Sequence, residues 1–394
     1  MNPEFVRPRY DEGGFVSIPN RIKDAFASGR YDAVVLLFVD AFGWQFFERF
    51  QDAAFLKRFA NHGQIEKLMS QFPSTTAAHL TAIHTGWNVG QSGVYEWIYY
   101  EPQVDALISP LLFSYAGSRY RNDLNSTGID PSLFYPRGLL YPELKEMGVN
   151  SYVFGSRDYS PSTYSETVMA GAELCPFKTL SEALINLGLL LEEQTQPVYL
   201  HLYFDQIDAL SHDYGPTASQ TEAEIQTFLL MMEYYFERVF QREKKILFLM
   251  TADHGQVEVD PHTTIYLNTE PRFTGIERFL KTDRKGQMLV PAGSARDMFL
   301  YVKDEVLEEA QSFLERGLEG RADVLKTDFL IENGYFGAEV SSRFRERVGN
   351  LVILPYRYET VWWYEKGKFE QHFYGHHGGL TPQEMETVLY SIEI

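Results

Sequence analysis

The sequence predicts an α/β fold: a largely parallel central sheet flanked by helices, with a small α+β insertion. Three observations predict it. Continuous apolar runs rich in β-branched residues recur along the 394-residue chain. The clearest of them end at, or shortly before, an aspartate. Helical stretches separate them, as strands of a parallel sheet require.

Ala33 to Val39 is the first such run and suits a strand covered on both faces. It ends at Asp40, where the chain leaves the sheet. Ligands of open α/β sheets gather at such carboxyl ends. Ser151 to Gly155 reads as another strand end. Val198 to Phe204 leads to Asp208, and Ile246 to Thr251 leads to Asp253 and His254. Tyr141–Met147, Leu180–Leu191 and Gln220–Phe240 read as the intervening helices. Beyond His254 the texture changes. Asp297–Val302 and Ala322–Thr327 read as strands around an amphipathic helix, Glu305–Arg316, which makes a small βαβ unit. Arg347 to Leu354 then reads as a strand returning to the main sheet. The expected division is a core over 1–287, an insertion or lid over 288–345, and a return over 346–394. The alternative is that the middle part simply extends the main sheet.

Composition narrows the function classes. The formal net charge is −19, and 44% of residues are hydrophobic. Such an acidic chain is poorly suited to gripping a nucleic-acid polymer through its phosphates. A phosphate ester is acceptable only if bound divalent cations invert the local field. The single cysteine, Cys175, excludes an internal disulfide framework and a thiolate zinc cluster. No apolar stretch has the length of a membrane span. The start, Met-Asn-Pro-Glu-Phe, lacks the basic and apolar pattern of a signal peptide, so a cytoplasmic location is expected. Oligomeric state is left open.

The candidate chemistry lies in five short stretches. Asp40 is either a metal ligand or the N-cap of a following helix. Asp208 and His212 stand four apart, which on a helix puts both on one face. Asp253 and His254 directly follow a strand, so adjacent side chains can address two metals. His376 and His377 lie in a Gly-rich turn, and either can be the ligand. Pro73-Ser-Thr-Thr76 resembles a helix start, which places a hydroxyl where the helix dipole favours an anion. Ordinary N-capping by Ser74 or Thr75 is the alternative, and both readings can hold, with one residue capping while the next attacks. His79 lies three residues after Thr76. It either donates to a phosphoryl oxygen or packs in the core. The alternating Tyr95, Trp97 and Tyr99 are read chiefly as packing, with a stacking platform for a leaving group as the alternative.

Taken in order, these motifs resemble the alkaline phosphatase superfamily, most closely its type I phosphodiesterase/nucleotide pyrophosphatase branch. The resemblance rests on strand-Asp40, Pro73 to Thr76 with His84-Thr85-Gly86, Asp208 to His212 with the Gly215-Pro216 that follows, Asp253-His254-Gly255, and Gly375-His376-His377-Gly378. It implies an alkaline-phosphatase-like fold and two divalent ions. Zinc is expected, with manganese as the alternative. Asp208, His212 and His377 would hold one ion; Asp40, Thr76, Asp253 and His254 would hold the other. Thr76 would be the nucleophile of a covalent phospho-threonine mechanism, and His79 would touch the substrate. The substrate would be a small-molecule phosphate ester, with a nucleotide among the candidates. The chain departs from the family pattern at Ala77-Ala78-His79, where the family has Phe-Pro-Asn, and so lacks an aromatic that clamps the base. A phosphomonoesterase or phosphonate hydrolase on the same site is the alternative activity. A non-catalytic protein that keeps its metals is the rival from another class. Cys175-Pro176 does not fit the modified nucleophile of a sulfatase.

Overall fold

The structure, a computed structural model, describes residues 1–136, 140–240 and 244–394. Its centre is a seven-stranded sheet. In spatial order the strands are Gln64–Met69, Glu386–Glu393, Ile246–Thr251, Ala33–Val39, Val198–Phe204, Asn150–Ser156 and Glu173–Phe177. Ala33–Val39 pairs in parallel with both its neighbours, and Asn150–Ser156 and Glu173–Phe177 continue the parallel run. Glu386–Glu393 is antiparallel to both strands beside it.

Burial explains which strands the sequence announces. All seven residues of Ala33–Val39 and of Val198–Phe204 are buried, because helices cover both faces. Leu180–Glu193 and Ser219–Phe240 pack on one face, contributing Leu184, Leu187, Ile225, Phe228 and Met232 to the largest apolar cluster. Gln64–Met69 is an edge strand with only Leu68 buried, so it carries no apolar run. It, Glu173–Phe177 and Glu386–Glu393 are the strands of this sheet that the pattern of apolar runs passes over.

Three parallel strands end together. Val39, Phe204 and Thr251 lead directly into the segments bearing Asp40, Asp208 and Asp253-His254. Parallel register therefore gathers those groups at one edge of the sheet.

The later part builds a second, three-stranded antiparallel sheet in the order Met298–Leu300, Leu351–Pro355, Ala322–Lys326. The Leu307–Gly317 helix connects the two outer strands. The expected βαβ unit is thus split, with a third strand seated between its two. This corrects the division expected from sequence. Leu351–Pro355 does not return to the main sheet, and the small unit continues past residue 345. The reading erred because a fully buried apolar strand looks the same in either sheet. The return to the main sheet is Glu386–Glu393 instead.

Candidate metal centre

Asp40 follows the last residue of its strand and is buried. The next residue, Ala41, holds a left-handed φ of 60°. That conformation is costly for a residue with a Cβ and is typical of functional turns. It turns the Ala41 N–H onto Asp253 Oδ1 at 3.1 Å, and the His254 N–H reaches the same oxygen at 3.0 Å. Asp253 Oδ2 is left without a hydrogen-bond partner. Asp40 shows the same asymmetry. Tyr203 donates its hydroxyl to Oδ2, while Oδ1 has no partner. Each aspartate is held by one oxygen and presents the other.

His254 Nε2 lies 3.6 Å from Asp40 Oδ1 and 3.2 Å from Asp253 Oδ2. Thr76 Oγ1 lies 3.3 Å from His254 Nε2 and 3.5 Å from Asp40 Oδ2. Asp208 and His212 stand on one face of the Gln206–Tyr214 helix, with His212 Nε2 at 3.4 Å from Asp208 Oδ2. His377 arrives from the C-terminal turn with Nε2 at 3.8 Å from Asp208 Oδ1, and its ring stacks on His254 at 3.7 Å. His376 is turned differently: its Nδ1 accepts from the His377 N–H. The turn depends on Gly378, whose φ is 122°; a Cβ there would meet Ser294 Oγ at 2.6 Å.

The three facing imidazoles share one arrangement. His212 Nδ1 bonds to the Gly375 carbonyl at 2.8 Å, His377 Nδ1 to the Ser74 carbonyl at 2.8 Å, and His254 Nδ1 to the Gly255 carbonyl at 3.1 Å. Only an N–H can donate to a carbonyl, so each Nε2 is left with a free lone pair. This is the outer support that metal-binding histidines need. Burial drives the His254 and His377 pKa values well below the ordinary range, which keeps both rings neutral.

The carboxylates show the reverse strain. Burial raises the Asp40 pKa well above the usual range, and the charges of Asp253 and Asp208 add to it. Asp253 is pushed up to about 7 by burial, and Asp208 is raised by burial too. Like charges crowded in a dry site call for a cation. Ligand-type atoms of Asp40, Asp253 and His254 all lie within 4.8 Å of one another, as do those of Asp208, His254 and His377. The orphaned oxygens, the free Nε2 atoms and this donor set fit divalent ions. His254 belongs to both groups, and His212 joins through Asp208.

Thr76 is the first residue of the helix Thr76–Thr85. Thr75 is its N-cap, but no side chain caps the helix. The expected capping side chain is therefore absent, and Thr76 stands at the helix start. Ser74 is occupied elsewhere, donating to the Gly379 carbonyl at 2.8 Å. The uncapped end leaves the helix's first N–H groups to other acceptors.

His79 is not brought to the site. It is fully buried; its Nε2 accepts from the Gln71 N–H and contacts Ser70 Oγ, and its Nδ1 bonds to the Thr75 carbonyl at 2.7 Å. Both nitrogens are engaged, so the packing alternative describes it. Tyr95 and Tyr99 stack on one another in the core, and only Trp97 of that run lines the site cavity. Two contacting side chains went unnoticed in the sequence. Tyr203 bonds Asp40, and Gln256 Nε2 donates to Asp208 Oδ1. Their proximity to strand ends was a signal, though a common one.

A cavity of about 250 Å³ opens beside Asp40, Thr76 and Asp208. Its wall is mostly apolar, including Leu80, Leu111, Val153, Phe154 and Met169.

Comparison with known proteins accords with this geometry. A family model described as type I phosphodiesterase/nucleotide pyrophosphatase matches residues 34–380. The chain belongs to that family, within the alkaline phosphatase superfamily, and is a phosphoric ester hydrolase. No curated protein sequence matches it. Solved structures share its fold. Murine ectonucleotide pyrophosphatase/phosphodiesterase 5 superposes with a TM-score of 0.67 at 15% identity, covering 91% of this chain and 87% of that one. An inactive form of the murine protein in complex with AMP gives the same values. The human protein gives 0.66 at 13% identity, with the same coverage.

Proposed function

We propose that the chain hydrolyses small phosphate diesters at a two-metal centre, with Thr76 as the nucleophile. One observation carries this reading. Thr76 Oγ1 stands at an uncapped helix start within 3.5 Å of both Asp40 and His254, beside two buried carboxylate oxygens that have no partner. Asp40, Thr76, Asp253 and His254 would hold one ion, and Asp208, His212 and His377 the other. Zinc is the proposed metal, and manganese is the alternative that the same ligands accept. When bound, such ions lower the pKa of a ligated hydroxyl and offset charge on a leaving oxygen.

The residues then divide the work. Tyr203 and the Ala41 N–H fix the carboxylates, and backbone carbonyls fix the imidazoles. Thr76 Oγ1 forms a bond to phosphorus as the bond to the ester oxygen breaks, and the alcohol departs. Water then cleaves the phospho-threonine and restores the hydroxyl. The N–H groups of the helix start are placed to receive a phosphoryl oxygen. A nucleotide ester is the proposed substrate class, supported by the AMP complex of the murine neighbour. No helix among the described residues is long and apolar enough to cross a membrane. The cytoplasmic location is likewise proposed, on the single cysteine, which leaves no internal disulfide to form.

The test compares bis-p-nitrophenyl phosphate with p-nitrophenyl phosphate, each with zinc and with manganese. Preference for the diester is expected. Preference for the monoester moves the protein to a phosphatase, and bound metal without turnover makes it a binding protein. Thr76→Ala is expected to lower kcat by about 10³-fold or more. Full zinc-dependent turnover in that variant would overturn the nucleophile.

A further inference from the structure

The cavity that opens at Thr76 ends on two histidines that the reaction does not use. Thr76, Leu80 and His84 stand four residues apart on one face of their helix, and all three line the cavity. His84 therefore lies about 12 Å along the helix axis from Thr76. Tyr203 and His201 stand two apart on one face of the Val198–Phe204 strand, and both line the same cavity. Trp97 is 42% exposed, whereas His84 is 1% and His201 0% exposed.

The two rings lie 4.6 Å apart. His84 Nδ1 is engaged by the Tyr141 hydroxyl at 2.6 Å, and its Nε2 has no partner. Neither nitrogen of His201 has one. Three buried nitrogens without a hydrogen-bond partner thus meet at this mostly apolar cavity, although buried polar groups are as a rule satisfied. A polar residue in the middle of a strand as apolar as Val198–Phe204 is equally out of place for packing alone.

We propose that His84 and His201 form a recognition floor for the second, non-nucleoside organic group of the diester, which is apolar along its length and ends in a neutral group offering both a donor and an acceptor, such as a primary amide. The proposal rests on the phosphodiesterase reading of the same site. Burial holds both rings neutral: the His201 pKa is pulled down to about 3, and that of His84 falls well below the ordinary range. A neutral imidazole has one N–H and one bare nitrogen. His201 thus presents one donor and one acceptor, and His84 adds one of either kind. A charged tip would be desolvated there without a counter-charge, which the floor cannot offset. The apolar wall between Thr76 and His84 gains from a hydrocarbon body of matching length.

The experiment uses two p-nitrophenyl alkyl phosphodiesters of equal length, about 10 Å beyond phosphorus. One ends in a primary amide and the other in an isosteric branched alkene. The wild-type protein is expected to favour the amide in kcat/KM by at least about hundredfold, because a site built to hydrogen-bond a group rejects the analogue lacking it. In His84→Leu/His201→Leu the preference disappears or reverses. In His84→Gln, whose amide falls near the Nε2 position, part of it returns. Equal rates for the two esters in the wild type would overturn the proposal, as would a preference that the double substitution leaves intact. Calorimetric binding of the two matching non-cleavable phosphonates is measured in parallel. Selective binding without hydrolysis of either ester would sink the phosphodiesterase reading and leave the recognition floor standing. Hydrolysis with no selectivity in either assay would do the opposite.

Discussion

Two buried acidic centres sit side by side in this molecule and solve the same problem in different ways. Behind the C-terminal turn, Glu384 receives Arg296 through two parallel hydrogen bonds, Nε to Oε1 at 3.0 Å and Nη2 to Oε2 at 2.9 Å. The Gly379 N–H and the Thr381 hydroxyl complete it, and both charged side chains are fully buried. In the candidate metal centre, Asp40 and Asp253 each keep one oxygen with no hydrogen-bond partner, facing only the neutral His254 ring. The first centre is satisfied by the chain itself and the second is not. A buried charge is tolerated only when paired, so the second has the donor set to be completed by a cation from outside the chain. The contrast separates a clamp that shapes the His377 turn from a site that binds.

The largest expected effect breaks the clamp. Glu384→Gln leaves the Arg296 guanidinium buried without its carboxylate, which costs about 3–5 kcal/mol. A fall in the urea midpoint measures it. The loss should persist with saturating zinc, because the clamp does not depend on the metal. An unchanged midpoint would mean that the turn is held by other contacts.

Asp253→Asn should act with opposite sign in metal-free protein. The Asp253 pKa in the fold is pushed up to about 7 by burial, against an ordinary 3.8. Between those values the native state holds a proton that the unfolded chain has released. The metal-free fold therefore loses stability as pH rises from about 4 to about 7, and the loss is complete above that window. Removing the carboxylate removes the loss. After chelation at pH 8, Asp253→Asn should be more stable than wild type by about 2–4 kcal/mol, and at pH 4 the two should agree. With zinc the order reverses, since only the wild type binds tightly. Thermal unfolding at the two pH values, with and without chelator, reads all four states. A chelated wild type that gains stability from pH 4 to pH 8 would contradict the account.

The contrast also marks what sequence can and cannot reveal. Asp40, Asp208 and Asp253 were legible because fully buried parallel strands are apolar runs, and ligands follow where such runs stop. Helical spacing put Asp208 and His212 on one face, and the order of the other motifs gave that spacing its meaning. The clamp was not: Arg296 and Glu384 are 88 residues apart, and nothing local joins them. Leu351–Pro355 was placed in the wrong sheet because burial on both faces fixes a strand's composition but not its partners. His79 illustrates the same limit, since a ring three residues from Thr76 can point into the core. His201 was passed over, because the run Val198–Phe204 was read only as apolar, and the significance of its one histidine needed the cavity.

The smallest effect tests how finely the open centre is tuned. Tyr203 donates to Asp40 Oδ2, so it holds the carboxylate in place without facing the proposed ion through its own oxygen. Its hydroxyl stays protonated, because burial and the neighbouring Asp40 raise its pKa well above the ordinary value. Tyr203→Phe keeps the ring and its packing against Phe38 but removes the donor. Asp40 then loses its anchor and becomes harder to ionise, so two contributions weaken metal binding together. Loss of such a supporting hydrogen bond costs about 10-fold or more in affinity, or about 1.4 kcal/mol. Competition with a zinc chelator measures it. Because burial raises the Asp40 pKa and protonated Asp40 must release its proton to bind, the deficit should shrink as pH rises. A deficit of the same size at every pH would show that Tyr203 acts on geometry alone. No deficit at all would mean that Asp40 is positioned by its place at the strand end, with the tyrosine incidental.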